Sequence, residues 1–269
     1  VSSSAIITIV IVVVAAAVIL AACSIPTAVA VIDPRNSFLY PNGRSVAVTD
    51  GTLDVNRFTW EGFQGKVYES DSIKYVYDKL VGPGRRTLLD IGAQSGLYAL
   101  YAKHFTGIRV DAYEPFPPSY KCLVDNIALN GAGHCVFPFN IAVSDTRSTT
   151  VMRCPPGHTG LNTLGKTPLR FDRWVDVEVA TDTIDNLYAN RRVDFVKCDT
   201  EGWEYFVLKG GRRVLRRDKP ELLLEVNETN MRQCGVSREQ LMAELDDLGY
   251  RYITTINEEN MAFSARSAS

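Results

Sequence analysis

The sequence predicts an α/β protein built on a mostly parallel sheet, and three features predict it. From Ser70 onward, apolar strand-like runs alternate with amphipathic helical stretches, the pattern of strand–helix–strand crossover units. TLLDIGAQSGLYAL, from Thr87, joins an apolar strand to a helix through a glycine-containing turn, which allows a tight bend and close backbone approach of a ligand. VDFVKCDTEGWE, from Val193, ends an apolar strand in Lys197, Asp199 and Glu201. Charge therefore gathers where a strand would reach the edge of a sheet.

SDSIKYVYDKL, from Ser70, reads as a capped amphipathic helix. Strands are predicted over 87–91, 109–114, 135–141, 193–199 and 221–226, with helices near 95–104, 117–130 and 202–216. SREQLMAELDDLGY adds a last helix, after which YRYITTI and NMAFSA are close enough to pair around 257–259 as an antiparallel edge. Residues 143–182 do not fit a crossover. Two β-like arms flank a centre rich in proline and glycine, CPPGHTGLN, as in a β-insertion laid over the active face.

The run Ala5–Cys23, AIITIVIVVVAAAVILAAC, is apolar except for Thr8, and about 19 helical residues nearly match a bilayer core of ~30 Å. It is predicted as a single transmembrane segment. A retained anchor is favoured over a cleaved signal because no Lys or Arg precedes Arg35. The expected organisation is a short tail (1–4), the membrane segment (5–23), a stalk and N-terminal extension (24–69), a catalytic domain (70–265) and a frayed tail (266–269). A secretory-pathway membrane is the expected location. Net charge is -2, which gives no nucleic-acid footprint and leaves a small, weakly charged substrate as the simpler expectation. The six cysteines contain no C-x-x-C pair, so neither a zinc site nor a disulfide framework is indicated.

The first half of the expected site is a cofactor half. Asp90 closes the first strand, and Gly92 and Gly96 give D-x-G-x-x-x-G rather than the G-x-G-x-x-G of dinucleotide binders; a generic strand–turn–helix remains the plain alternative. Glu114 ends the next strand roughly 20 residues on, where an acidic side chain can hold both hydroxyls of a ribose. Asn140, Ile141 and Ala142 close the third strand and suit packing on a flat purine, with Asp145 as an acceptor for its exocyclic amine or as part of a Ser-Asp turn.

The second half concerns chemistry. Alternate strand residues share a face, so Lys197 and Asp199 point together and Cys198 points away. Asp199, Glu225 and Lys197 are the candidate catalytic residues, as proton acceptors or direct contacts to the acceptor hydroxyl, with a contact to the cofactor's amino group as the alternative for Asp199. Glu201 is a candidate substrate contact or a cap of the helix that follows. Glu225 and Asn227 fall on one face of the neighbouring strand, so Asp199, Glu225 and Asn227 form a candidate Mg²⁺ site. His158, Asn162 and Trp174, in the insertion, are candidates for acceptor contact. A solvent-exposed turn is the alternative for His158, and an anchor for the insertion the alternative for Trp174.

Together LLDIGAQSGLYAL, YEPFP, NIALNG, AVSD, TIDNL, DFVKCDTEGWEYFVLKG and PELLLE, in this order, resemble an FkbM-type S-adenosylmethionine-dependent methyltransferase over about residues 70–265. DIGAQSG is similar to that family's DIGAN-x-G, with Gln94 in place of Asn, and KCDTEG to its KIDVEG. The resemblance implies a Rossmann-like class I methyltransferase with seven strands in the order 3-2-1-4-5-7-6. It further implies S-adenosylmethionine as cofactor, with Asp90, Gly92 and Gly96 at its methionine portion, Glu114 at its ribose and the 140–145 turn at its adenine. The expected activity is membrane-anchored O-methylation of a hydroxyl on a sugar or glycan-like acceptor. The alternatives are a lipid, small metabolite or protein side chain as acceptor, or a non-catalytic module that binds adenosyl ligands.

Overall fold

The structure is a computed structural model, and it describes residues 37–39, 45–48, 69–84, 86–166 and 172–266. All belong to one compact unit, residues 35–269. The expected membrane segment at 5–23 and most of the expected stalk lie outside the described residues. Among the described residues no helix is long and apolar enough to cross a membrane.

Strands β1 (Ser37–Leu39) and β2 (Ser45–Ala47) pair antiparallel. Helix α1 (Ser70–Leu80) buries Ile73, Val76, Tyr77 and Leu80 along one stripe. The expected side-chain cap is absent: the preceding Glu69 is left-handed, with φ 46°. Its carboxylate instead receives the Tyr98 hydroxyl and the Asn260 amide.

Next come β3 (Arg86–Ile91), α2 (Leu97–Leu100) continued as a 3-10 turn over Tyr101–His104, β4 (Ile108–Tyr113), α3 (Pro117–Leu129) and β5 (Val136–Phe139). The insertion carries β6 (Ala142–Val143), β7 (Ser148–Cys154) and β8 (Val175–Asp182), followed by α4 (Ile184–Leu187). After β9 (Phe195–Cys198), the single helix expected over 202–216 is two, α5 (Glu204–Gly210) and α6 (Arg212–Asp218). The break falls at a glycine pair for a steric reason. A β-carbon on Gly210 would lie 2.0 Å from the Ser144 carbonyl oxygen, so the insertion's backbone rests directly on the helix end.

The chain closes with β10 (Glu221–Glu225), α7 (Glu228–Gln233), α8 (Arg238–Asp247), β11 (Tyr250–Thr255) and β12 (Asn260–Ala265). Helix α7 is absent from the sequence prediction, which carries the apolar strand directly into the residues that cap it. Helix α8 has a complete capping box between Ser237 and Gln240.

The main sheet runs β11-β12-β10-β9-β3-β4-β5. Numbered in chain order within that sheet and read from the β5 edge, this is 3-2-1-4-5-7-6. The pairs β3–β4, β4–β5, β3–β9 and β9–β10 are parallel, and β12 joins β10 and β11 antiparallel. With the β1–β2 pair and the separate sheet β6-β8-β7, the described residues hold more strands than the seven of the expected sheet. Neighbouring residues of each central strand are buried on opposite faces: Leu88, Val110 and Phe195 pack with α1 and α2, while Leu89, Val196 and Leu224 pack with α5, α6 and α8. A parallel sheet covered on both faces requires continuous apolar runs of this kind.

Candidate active site

The carboxyl ends of β3, β4, β9 and β10 open into one cavity of about 410 Å³. Its first wall is the turn after β3, with Gly92, Ala93 and Gln94 at the surface. Gly92 has φ 79°, and a β-carbon there would meet the Asp199 carbonyl oxygen at 1.8 Å. The close approach that requires glycine is therefore made by the end of β9, not by a ligand. Gly96 does not line the cavity; it has φ 92°, and a β-carbon there would strike Leu123 of α3 at 2.5 Å. Its work is packing.

Asp90, expected at the cofactor, is fully buried and does not line the cavity. The Lys197 ammonium lies 3.7 Å from it and 3.3 Å from Asp199, so Asp90 acts on the site through Lys197. Burial raises the Asp90 carboxyl, and Lys197 opposes the rise. For Lys197 itself burial works to lower the pKa, but Asp199 and Asp90 overcome it and the ammonium is held above the ordinary lysine range. It also sits over the Tyr98 ring, 4.7 Å from its centroid. Paired with both carboxylates, Lys197 is placed to orient Asp199 within the site.

Glu114 lines the cavity, and its two oxygens accept the backbone N–H of Gln94 at 2.9 Å and of Phe116 at 2.8 Å. Burial pushes its carboxyl up to about 7 against those two bonds. The third strand contributes Ile141, Ala142 and Val143 as an apolar wall. Asn140 and Asp145 are not part of that wall. The Asn140 amide donates to the Glu114 and Pro115 carbonyls, tying two loops together, and Asp145 accepts from Ser144 in the expected Ser-Asp turn.

The opposite wall is acidic. Parallel pairing of Leu224 with Cys198 sets Glu225 beside Asp199. One oxygen each of Asp199, Glu201 and Glu225 fall within 4.8 Å of one another. Burial, then the charges of Asp199 and Glu201, raise the Glu225 carboxyl well above its ordinary value. Asn227, expected as the third oxygen ligand, is instead the N-cap of α7: its Oδ1 accepts from Thr229 and Asn230, and its amide donates to Glu259. Glu201 takes its place, and it does not cap α5. The residue before α5 is Trp203, with no side-chain cap. Glu201 adopts φ 54° and receives the Asn230 amide.

The insertion closes the cavity with Met152, the segment Gly157–Asn162 and Leu164. His158 and Asn162 both line it, and Asn162 Oδ1 is enclosed without a hydrogen-bond partner. Trp174 does not reach the cavity; it is 41% exposed beside the first residue of β8. Glu69 and Glu259 complete the rim. Neither is visible in the sequence as a site residue, because each lies in a turn brought to the sheet edge only by folding.

A sheet of this order with a ligand-sized cavity at its carboxyl edge defines a methyltransferase-like α/β protein. The chain belongs to the FkbM family: the profile described as the methyltransferase FkbM domain matches residues 90–252, and the protein is accordingly a methyltransferase. Among curated proteins, the methyltransferase sdnD of Sordaria araneosa is 28% identical over 214 residues, 68% of this chain and 81% of that one. Among solved structures, methyltransferase FkbM from Methylobacillus flagellatus KT is similar at 18% identity with a TM-score of 0.48, covering 80% of this chain and 55% of that one. A precorrin-6y C5,15-methyltransferase from Geobacter metallireducens GS-15 is similar at 13% identity with a TM-score of 0.44, covering 77% and 95%.

Proposed function

We propose that the protein is an S-adenosylmethionine-dependent O-methyltransferase acting on a hydroxyl of a sugar or glycan-like acceptor. One observation carries the reading: the Gly92–Gln94 turn, Glu114 and the carboxylate of Asp199 share a single cavity. The residues fit the cofactor. Glu114 spends one acceptor direction per oxygen on backbone N–H groups, and a carboxylate has about four, so two remain for ribose hydroxyls. Ile141, Ala142 and Val143 offer an apolar surface for the adenine ring.

S-adenosylmethionine, when bound, supplies an electrophilic methyl group on a sulfonium. With the cofactor held against the Gly92–Gln94 turn and Glu114, the Asp199 carboxylate would take the proton that the acceptor hydroxyl gives up. Lys197, which lines the cavity beside Asp199, orients it, and Asp90 backs Lys197. Asn162 and His158 hold the acceptor from the insertion side, and the insertion keeps water from the reacting atoms. Calorimetric titration of the full chain with S-adenosylmethionine tests the cofactor, and absence of binding overturns the reading. Mass spectrometry of glycans and lipids from cells with and without the protein, searching for the mass of one methyl group, tests the acceptor class.

The proximity of Asp199, Glu201 and Glu225 favours a second reading of the same wall, in which a divalent cation such as Mg²⁺ binds there and lowers the pKa of the acceptor hydroxyl. The apolar run Ala5–Cys23 supports attachment to a secretory-pathway membrane. Release of the full chain from membranes by alkaline carbonate would count against an integral anchor.

A further inference from the structure

Asp199 and Glu201 flank Thr200, and what holds Thr200 holds both. The Thr200 backbone N–H and hydroxyl both donate to Oε1 of Glu204, each at 2.8 Å. Glu204 is 1% exposed and does not line the cavity, and its second oxygen is enclosed without a partner. The turn it grips is conformationally demanding. Glu201 has φ 54° and Gly202 φ 101°, and a β-carbon on Gly202 would lie 2.3 Å from the Asn230 carbonyl. The far side of the turn is fixed as well: the Thr163 hydroxyl donates to the Glu201 carbonyl at 3.1 Å, the Cys234 thiol to the same carbonyl at 3.8 Å, and the Asn230 amide to the Glu201 carboxylate. Among the described residues, the Thr200 hydroxyl also meets the Cys198 thiol, at a longer 3.7 Å.

We propose that Glu204 is the positioning residue of this site, fixing Thr200 and through it the directions in which Asp199 and Glu201 enter the cavity. The side chain turns back from the first residue of α5 to a residue four earlier, ahead of the helix rather than within it. A buried carboxylate placed there is costly to desolvate, and the two bonds to Thr200 are what it provides in return. The consequence for catalysis rests on the reading of Asp199 as proton acceptor; the positioning itself does not.

The test compares Glu204→Ala and Glu204→Gln in the full chain by hydrogen–deuterium exchange, with calorimetric binding of S-adenosylmethionine alongside. Glu204→Ala removes both acceptor contacts, and exchange over residues 199–203 should rise roughly tenfold or more, with the strands of the main sheet unchanged. Glu204→Gln keeps an acceptor oxygen and should restore exchange to within about threefold of the parent. Thr200→Val, which deletes only the hydroxyl bond, should give an intermediate rise and decides the matter if Glu204→Ala does not fold. Unchanged exchange in the alanine variant overturns the proposal, as does loosening spread evenly over the sheet, or a glutamine variant as loose as alanine. If the parent protein fails to bind S-adenosylmethionine, the proposed function falls, while the exchange pattern still judges Glu204.

Discussion

The carbonyl oxygen of Asp199 stands 1.8 Å from where a β-carbon on residue 92 would be. The turn that forms one wall of the cavity and the strand end that forms the other are thus in backbone contact. Asp199 also donates its N–H to the Ile91 carbonyl at 3.0 Å. Gly92→Ala should destabilise the protein by about 2–4 kcal/mol, from the clash together with the left-handed φ. A chemical-denaturation midpoint equal to that of the parent would refute this.

Asp199→Asn should leave folding intact and lower turnover about 10²- to 10⁴-fold, the range associated with loss of a positioned proton acceptor. S-adenosylmethionine affinity should change little, since the Gly92–Gln94 turn and Glu114 are untouched. Near-normal turnover with a methylated product would remove Asp199 from the chemistry.

Glu114 predicts a pH effect on stability. Its folded-state pKa is about 7, against an ordinary value of 4.5, so between those values the native state holds a proton that the unfolded chain has released. Its contribution is fully present below about 4.5 and is lost as pH rises through about 7. The loss is on the order of 3 kcal/mol. Glu114→Gln should therefore show a flatter fall in melting temperature between pH 5 and pH 8 (roughly the window set by that linkage) than the parent. Parallel curves would contradict the assignment.

The two readings of the acidic wall separate under chelation. With Asp199 as the proton acceptor, turnover after chelator treatment and desalting should match that of untreated enzyme. A loss of more than about tenfold, restored by Mg²⁺ and abolished in Glu201→Gln, would transfer the role to a cation held by Asp199, Glu201 and Glu225.

Asn162 separates acceptor from cofactor. Its enclosed, unpartnered oxygen suits a donor on the acceptor, so Asn162→Ala should raise the acceptor KM about tenfold and leave S-adenosylmethionine affinity within about twofold. Equal losses in both would place Asn162 at the cofactor instead.

Periodicity made the sheet legible. Leu88 and Leu89 declare opposite faces of one strand, and the same holds for Val196 and Lys197 in β9, so the apolar runs located the central strands. The charged end of β9 marked Asp199 for the same reason, since alternation alone puts Lys197 and Asp199 on one side. The motifs around Asp90, Gly92 and Glu114 carried the family resemblance as well. What they did not carry was the division of labour: Asp90 stands behind Lys197, and Gly96 serves the packing of α3.

The residues misjudged are those whose polar atoms had a closer claimant. Asn227 is drawn to the open N–H groups of α7, and Asn140 to the Glu114 and Pro115 carbonyls. Glu201, which has a left-handed backbone and does not cap α5, stands with Asp199 and Glu225 in the acidic wall. Side-chain type and spacing tell which groups reach a sheet edge; they do not tell which backbone donors and acceptors will be waiting there.

By itself, the sequence determined the strand pattern, the glycine turn and the charged end of VDFVKCDTEG, because each is written in local periodicity and residue type. Tertiary structure alone decided that Glu69 and Glu259 would rim the cavity, that Lys197 would sit between two carboxylates, and that Glu204 would grip Thr200. Those outcomes depend on burial and on which unsatisfied polar groups meet when distant turns close together, and a buried hydrogen bond or charge has no value until its partner arrives.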